Sequence, residues 1–242
     1  SGDRRSSMKI LVVSQYFWPE TFRINDLVAE LVRRGHEVTV LTGLPNYPGG
    51  TVFADYKANP GAFARYQGAE VIRVQHLPRG QGNLRLILNY LSFALWASIA
   101  GPVKLIGRRV DAIFVFEPSP ITIGLPAIML KWLKHAPLAF WVLDLWPQSL
   151  EAVGAVRSPR ILGAVDALVR FIYSQCDRVL AQSNSFIGAI GKQMRDQSRI
   201  MYFPSWAEPA PAIENVHAAA EVPSRPDLFT IVFTGNIGEA QD

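Results

Sequence analysis

Short, continuous apolar runs alternate along the chain with longer stretches of helical period. Runs rich in β-branched residues occupy 9–14, 37–42, 70–75, 112–116, 138–143, 178–181 and 199–202. Runs with no polar alternation are what strands buried on both faces of a parallel sheet require. Helical patterns fill the intervals at 23–34, 84–106, 122–134, 160–175 and 185–193. This βαβα order predicts an α/β fold, a Rossmann-like doubly wound parallel sheet. Gly35 stands where the first helix should end, a C-cap position. Ser183 stands where the last helix should begin, an N-cap position.

The pattern also divides the chain. Residues 1–7 are polar and read as an expression-derived leader. The domain is expected over 8–203. Residues 204–226, rich in Pro, Ala and Glu and without periodicity, read as a linker. Residues 228–233 form a strand-like run that opens into Thr234-Gly235-Asn236-Ile237-Gly238. A strand followed by a glycine turn begins a βα unit and often a phosphate site, so 227–242 is expected to open a second domain.

The stretch 84–106 departs from an ordinary surface helix. No charged residue falls between Leu86 and Val103, a length that just reaches across a bilayer. A crossing conflicts with topology, because the strands before and after it belong to one sheet. Gly101-Pro102 is expected to break the run near its end. Arg85, Asn89 and Ser92 recur at helical spacing as a narrow polar stripe. Two readings stand: a core-facing crossover helix, or a helix whose outer face lies in a membrane interface. Tyr90, Phe93 and Trp96 suit the second. Arg79, Arg85, Lys104, Arg108 and Arg109 flank the stretch with charge suited to an anionic membrane surface through 84–109.

Composition narrows the classes. The chain is 49% hydrophobic and 18% charged, with a formal net charge of +4. That describes a globular protein with a large core. No basic block is long enough to suggest nucleic acid, and the mild basic bias fits an anionic small substrate or an anionic membrane. Cys176 is the only cysteine, which gives neither a disulfide framework nor a zinc spacing and fits a reducing cytoplasm. His76, His135 and His217 have no metal-like companions, and His36 reads as packing at a helix–strand corner. There is no GxGxxG, Walker A, GxSxG or HExxH sequence, which removes the commonest dehydrogenase, NTPase, hydrolase and metalloprotease readings.

Open parallel sheets bind ligands beyond the carboxyl ends of their strands. The segments after the expected strands are therefore the place to look. They hold Tyr16-Phe17-Trp18-Pro19-Glu20 with Arg23, Pro45-Asn46-Tyr47-Pro48, Glu117-Pro118-Ser119, Asp144-Leu145-Trp146-Pro147 and Gln182-Ser183. Aromatic faces among Asp, Glu, Asn and Gln suit sugar rings and hydroxyls. Each residue also has a plain structural role open to it. Asp144 could cap the following helix, Glu20 could be a first-turn acid, and Arg23 could be a surface residue. Asn46 and Tyr47 could shape a turn, and Glu117 could be a partnered structural carboxylate or an acid–base group.

Met8-Lys9-Ile10-Leu11-Val12-Val13, Tyr16-Phe17-Trp18-Pro19-Glu20 and Arg34-Gly35-His36-Glu37-Val38-Thr39-Val40 resemble the start of GT-B glycosyltransferases of family 4. Pro45-Asn46-Tyr47-Pro48-Gly49-Gly50, Asp144-Leu145-Trp146-Pro147 and Pro204-Ser205-Trp206-Ala207-Glu208 resemble its bacterial branch that builds O-antigen, capsule or colanic acid, including N-acetylfucosamine transferases. The resemblance implies the N-terminal, acceptor-side half of a GT-B fold. It implies a retaining, metal-independent transfer, without cofactor, from a nucleotide-sugar donor to a lipid-linked sugar acceptor. Such an enzyme would sit in the cytoplasm on the inner face of the membrane. Asp144 would touch the acceptor hydroxyl or the donor sugar. Glu20, Asn46, Tyr47 and Glu117 would line the acceptor side, and Arg23, Gly235 and Asn236 the donor side. By the same resemblance the chain alone should be inactive. Two departures stand out: Pro19-Glu20-Thr21-Phe22-Arg23 replaces a glycine-bearing loop, and Gln148 stands where a Glu is usual. A nucleotide-sugar epimerase of the same architecture, or a non-catalytic lipid-binding or docking domain, are the competing functions.

Overall fold

The computed structural model describes residues 7–152, 154, 156–207 and 229. The last expected strand apart from Phe229, most of the linker, and Gly235 and Asn236 lie outside them. The described fold is that of the unit ending at Pro204.

Among the described residues eight strands form one sheet in the order β3-β4-β2-β1-β5-β6-β7-β8. These are β1 (Lys9–Ser14), β2 (Glu37–Thr42), β3 (Arg65–Tyr66), β4 (Ala69–Arg73), β5 (Ala112–Glu117), β6 (Leu138–Val142), β7 (Arg178–Ala181) and β8 (Ile200–Tyr202). All pairings are parallel except the short β3–β4 ladder. The helices are α1 (Arg23–Arg33), α2 (Ala54–Ala58), α3 (Asn83–Lys104), α4 (Gly124–Lys134), α5 (Gln148–Ala152), α6 (Pro159–Gln175) and α7 (Asn184–Gly191). Strand order runs outward from β1 in one direction and, after α3, resumes at β5 on its other side. The switch point therefore lies between β1 and β5, where such sheets bind ligands. This is the expected α/β, doubly wound parallel architecture.

Burial explains the apolar runs. Leu11, Val12 and Val13 of β1 are all fully buried, as are Phe140, Trp141 and Val142 of β6. Consecutive residues point to opposite faces of a strand, so both faces are covered. Fully burying each such side chain stabilises the fold by about 1.5–3 kcal/mol before entropy is counted. Trp141 also satisfies its indole by donating to Phe203 O at 3.1 Å.

Local signals behave as their chemistry dictates. Gly35 follows α1 with φ +88°. Its N–H reaches Val32 O at 2.9 Å and that of His36 reaches Leu31 O at 3.1 Å, the paired bonds of a Schellman turn. Ser183 caps α7 by accepting from the Phe186 N–H at 3.3 Å. His36 Nδ1 accepts from the Met8 N–H at 3.3 Å, a corner contact.

α3 corrects the sequence expectation at two points, the break at Gly101-Pro102 and the place of Phe93. It is continuous for 22 residues, with Pro102 inside its last turn. The missing N–H of Pro102 costs one bond to a residue one turn back, too near the end to stop the helix. Of the polar stripe, Asn89 turns inward and is fully buried, Ser92 Oγ accepts from the Leu77 N–H at 2.9 Å, and Arg85 stays exposed. Phe93, expected at a membrane interface, is also fully buried. Phe93, Ala97 and Gly101 form the core-facing row, and a Cβ on Gly101 would stand 3.0 Å from Leu41 Cδ2. Small residues thus bring α3 hard against the sheet, and its apolar excess is left outside.

Candidate active site on the carboxyl edge of the sheet

The loops after β1, β2, β4, β5 and β6 meet at one edge. Four cis peptide bonds lie in these loops, at Trp18-Pro19, Tyr47-Pro48, Ser119-Pro120 and Trp146-Pro147.

Glu20 organises the β1 and β2 loops. Its Oε1 accepts from the N–H groups of Asn46 at 2.8 Å and Tyr47 at 2.7 Å, and its Oε2 from that of Phe17 at 3.1 Å. Burial pushes its carboxyl upward, and those three donors with Arg73 pull it back. Arg73 lies behind it, donating to Gly43 O at 2.7 Å and to Trp18 O. Asn46 is fully buried; its amide donates to Leu44 O at 2.8 Å and its Oδ1 accepts from the Arg79 N–H at 2.9 Å. Gly50, at φ +76°, accepts from the Gly80 N–H at 2.9 Å, and a Cβ there would stand 2.8 Å from Gly80 O. The β2 and β4 loops are thereby stitched together.

His76 anchors the next stretch. Its Nε2 accepts from the Leu44 N–H at 2.9 Å, which leaves Nδ1 to donate to Leu77 O at 2.8 Å. Burial lowers its pKa and keeps the ring neutral. Asn89 donates to Leu77 O at 2.6 Å and accepts from Gln15 Nε2 at 2.7 Å. The buried polar side of α3 is therefore hydrogen-bonded to the loops.

Side chains of these loops gather into an aromatic cluster. The rings of Tyr16, Phe22 and Tyr47 sit within 5.3–5.5 Å of one another. Arg79 lies over Tyr47, 5.5 Å from its ring centre. Tyr90 of α3 approaches Ser119 with 3.4 Å between hydroxyls. Ser119 in turn lies beside Asp144. Tyr47, Arg79, Tyr16, Tyr90, Ser119 and Asp144 thus succeed one another across the switch point.

Asp144 is partly buried, and Trp146 Nε1 donates to its Oδ2 at 3.0 Å. Burial raises its pKa, opposed by Ser149, Trp146 and Ser119. Glu117 is fully buried, and neither carboxylate oxygen has a hydrogen-bond partner. This corrects the expectation of a partnered carboxylate. Burial first and Asp144 second push its pKa well above the ordinary value, which favours its neutral form. The hydroxyl of Tyr173 nearby is likewise buried and unpartnered.

The structure brings Glu20, Asn46, Tyr47, Glu117 and Asp144 to one edge. Tyr47 and Asp144 present side chains outward, while Glu20 and Asn46 shape the loops from within. Arg23 begins α1, 3.9 Å from Asp26. Sequence reasoning missed Arg79 as a site residue. The signal that finds it is its place in the segment after the 70–75 run, His76-Leu77-Pro78-Arg79-Gly80. Among the described residues no three His, Cys, Asp or Glu side chains converge to hold a metal ion. A cavity of about 260 Å³ lies at the opposite edge, lined by Lys9, Glu37, Arg108 and Arg109. It lacks the aromatic and carboxylate groups of the loop edge.

The family model described as "Glycosyl transferase 4-like domain" matches residues 21–206. The chain belongs to this family. It is 26% identical over 249 residues to the putative colanic acid biosynthesis glycosyl transferase WcaI of Escherichia coli K12, covering 97% of this chain and 60% of that protein. The chain therefore spans about 60% of the curated relative's length. Among solved structures, the glycotransferase of kitacinnamycin aligns with TM-score 0.54 and 15% identity, over 89% of this chain and 56% of that one. The UDP-N-acetylglucosamine 2-epimerase from Rickettsia bellii aligns with TM-score 0.50 and 12% identity, over 83% and 45%. At these identities the likeness is one of fold, and the fold is shared by transferase and epimerase. The family match is what assigns this glycosyltransferase family domain to the transferases.

Proposed function

We propose that this domain forms the acceptor side of a retaining glycosyltransferase that moves a sugar from a nucleotide-sugar donor to a lipid-linked saccharide. The process is assembly of a bacterial surface polysaccharide of the colanic acid, capsule or O-antigen kind, on the cytoplasmic face of the inner membrane. Family membership and the description of WcaI support the transferase reading. One observation carries the lipid-linked acceptor: the helix that brings Tyr90 to the site turns an apolar face outward. Leu84, Leu95, Ile99 and Val103 are 71%, 57%, 55% and 63% exposed, with Ile87, Leu91 and Trp96 on the same side. α3 packs on α4, which adds exposed Trp132 and Leu133. No acidic residue occurs between Glu70 and Asp111, or between Glu117 and Asp144. An apolar face bordered by Arg85 and Lys104, with Arg108 and Arg109 beyond it paired to Glu70 and Asp111, fits an anionic bilayer surface.

Asp144 contacts the acceptor hydroxyl or the donor sugar, and Tyr47 with Tyr16 and Phe22 offers rings for the acceptor saccharide. Arg23, Gly235 and Asn236 serve the donor. The 242-residue chain alone is expected to show no turnover. The test is to titrate the full-length protein with a panel of nucleotide sugars, with and without lipid-linked saccharides. Transfer that requires the lipid-linked acceptor supports the reading; turnover of donor alone into an epimer replaces it. In flotation, the protein should rise with anionic vesicles, and Leu91→Glu with Leu95→Glu should leave it at the bottom. Flotation unchanged by that double substitution removes α3 as the docking face.

A further inference from the structure

Arg79 is a cation held rigidly where the loop edge meets the apolar face of α3. Its backbone is fixed by Asn46, and its neighbour Gly80 by Gly50. Its guanidinium rests on the ring of Tyr47. Among the described residues no carboxylate pairs with it, and Glu20, the acid of the same loops, spends both oxygens on backbone N–H groups. Beside it is Tyr16, only 3% exposed, whose buried hydroxyl has the Arg79 guanidinium as its neighbouring donor and no partner in close hydrogen-bonding geometry. A buried hydroxyl left unmade is costly unless a ligand completes it. Tyr90 lies alongside. Arg85 comes next, in the first turn of α3, whose N-cap, Gly82, offers no side-chain cap and whose first turn holds no acid. A planar fork of donors, a buried hydroxyl and an open helix N-terminus together suit an anion with several oxygens. Leu84, Ile87 and Leu88 then begin the exposed apolar face within one turn.

We propose that Arg79 and the Tyr16 hydroxyl bind the phosphate or diphosphate of a long-chain alkyl ester whose chain continues along the outer face of α3. This deepens the proposed function, since it names the acceptor's anchoring group, and the alkyl part rests on that reading. The diphosphate of a nucleotide carries the same anion, so the two sources must be separated by experiment.

Isothermal titration of the 242-residue chain with inorganic pyrophosphate, farnesyl diphosphate, farnesol and UDP makes the separation. Farnesyl diphosphate should bind more tightly than pyrophosphate, and both more tightly than UDP. Arg79→Met, which keeps the aliphatic stem on Tyr47, should weaken both non-nucleotide phosphates about ten- to a hundredfold and leave farnesol unchanged. Arg79→Lys should recover part of the loss, and Tyr16→Phe should weaken both by a smaller factor. Circular dichroism checks that each variant is folded. Pyrophosphate binding unaffected by Arg79→Met, in folded protein, overturns the site. UDP binding tighter than farnesyl diphosphate, and equally dependent on Arg79, overturns the alkyl assignment. Loss of lipid-dependent turnover with these affinities intact would instead count against the proposed function, so the two ideas fail separately.

Discussion

Glu20 and Glu117 occupy matching places on either side of the switch point, one just beyond β1 and the other at the end of β5. Both are buried. Glu20 has three backbone donors and Arg73 behind it, and its charge is what holds two loops in register. Glu117 has no donor in bonding geometry and faces Asp144, a like charge. A buried carboxylate stays ionised only where hydrogen bonds and opposite charge repay its lost hydration; otherwise it takes up a proton. One strand end is therefore built as a hydrogen-bonded scaffold, and the other as an acid biased toward its neutral form beside a partly exposed aspartate. The first arrangement holds the β1 and β2 loops together. The second sets the electrostatics under Asp144, the residue proposed to touch the acceptor hydroxyl or the donor sugar.

The largest expected effect tests the scaffold. Glu20→Ala leaves three buried N–H groups and Arg73 without their acceptor. It should cost about 3–5 kcal/mol, the range for removing one partner of a buried charged network. That is a large fraction of the usual stability of a domain. Glu20→Gln keeps an oxygen for Asn46 and Tyr47 but turns an amide N–H₂ against the Phe17 N–H, so the loss should fall to about 1–3 kcal/mol. Denaturant unfolding measures both. A loss under about 0.5 kcal/mol for the alanine variant would mean the loops are held by other contacts.

Asp144 should behave in the opposite way. Its partners are Trp146 and Ser149 of its own loop region and Ser119 of the loop after β5, and it is only partly buried. Asp144→Asn still accepts from Trp146, so the unfolding midpoint should move little. In the full-length enzyme kcat should fall about 10²–10³-fold, as for loss of a group that acts on a reacting hydroxyl. Near-normal turnover removes Asp144 from the mechanism and with it the functional half of the contrast.

How much of this was legible in the sequence depends on which contacts are local. β1, β2 and β7 begin and end as expected, because each opens on one exposed charged residue, Lys9, Glu37 or Arg178, and then runs into buried positions. The Gly35 turn and the Ser183 cap were readable because each is completed within a few residues. The region between Gly50 and Ala69 was not: β3 is two residues long and α2 five, too short for any period to show. α5 escaped for the same reason. At the site, Asp144 and Tyr47 could be found by searching the segment beyond each strand, whereas the duty of Glu20 depends on N–H groups far along the chain. The inward turn of Asn89 was hidden too. An apolar helix with a polar stripe looks the same in sequence whichever side faces out, and only the packing of Phe93, Ala97 and Gly101 decides it.

The smallest effect is the one that reverses sign, and it isolates what Glu117 contributes. An acid whose pKa is raised by folding binds its proton more tightly in the native state than in the unfolded chain. Its neutral form is tolerated below the ordinary carboxylate value of 4.5, and stability is lost as pH climbs from there toward the raised native value. Glu117→Gln replaces the neutral acid with a neutral amide of the same shape and abolishes this dependence. Wild type and variant should therefore match near pH 4, and the variant should become progressively more stable from pH 5 to pH 8, unlike Glu20→Gln, which should destabilise. Asp144, also raised by burial, gives both proteins a similar slope of the same sign, so the difference between the two curves reports Glu117. Unfolding midpoints across that range measure it. A gap that stays constant with pH would show that Glu117 titrates as it does in the unfolded chain. The two ends of the switch point would then be scaffolds of one kind, and no neutral acid would stand beneath Asp144.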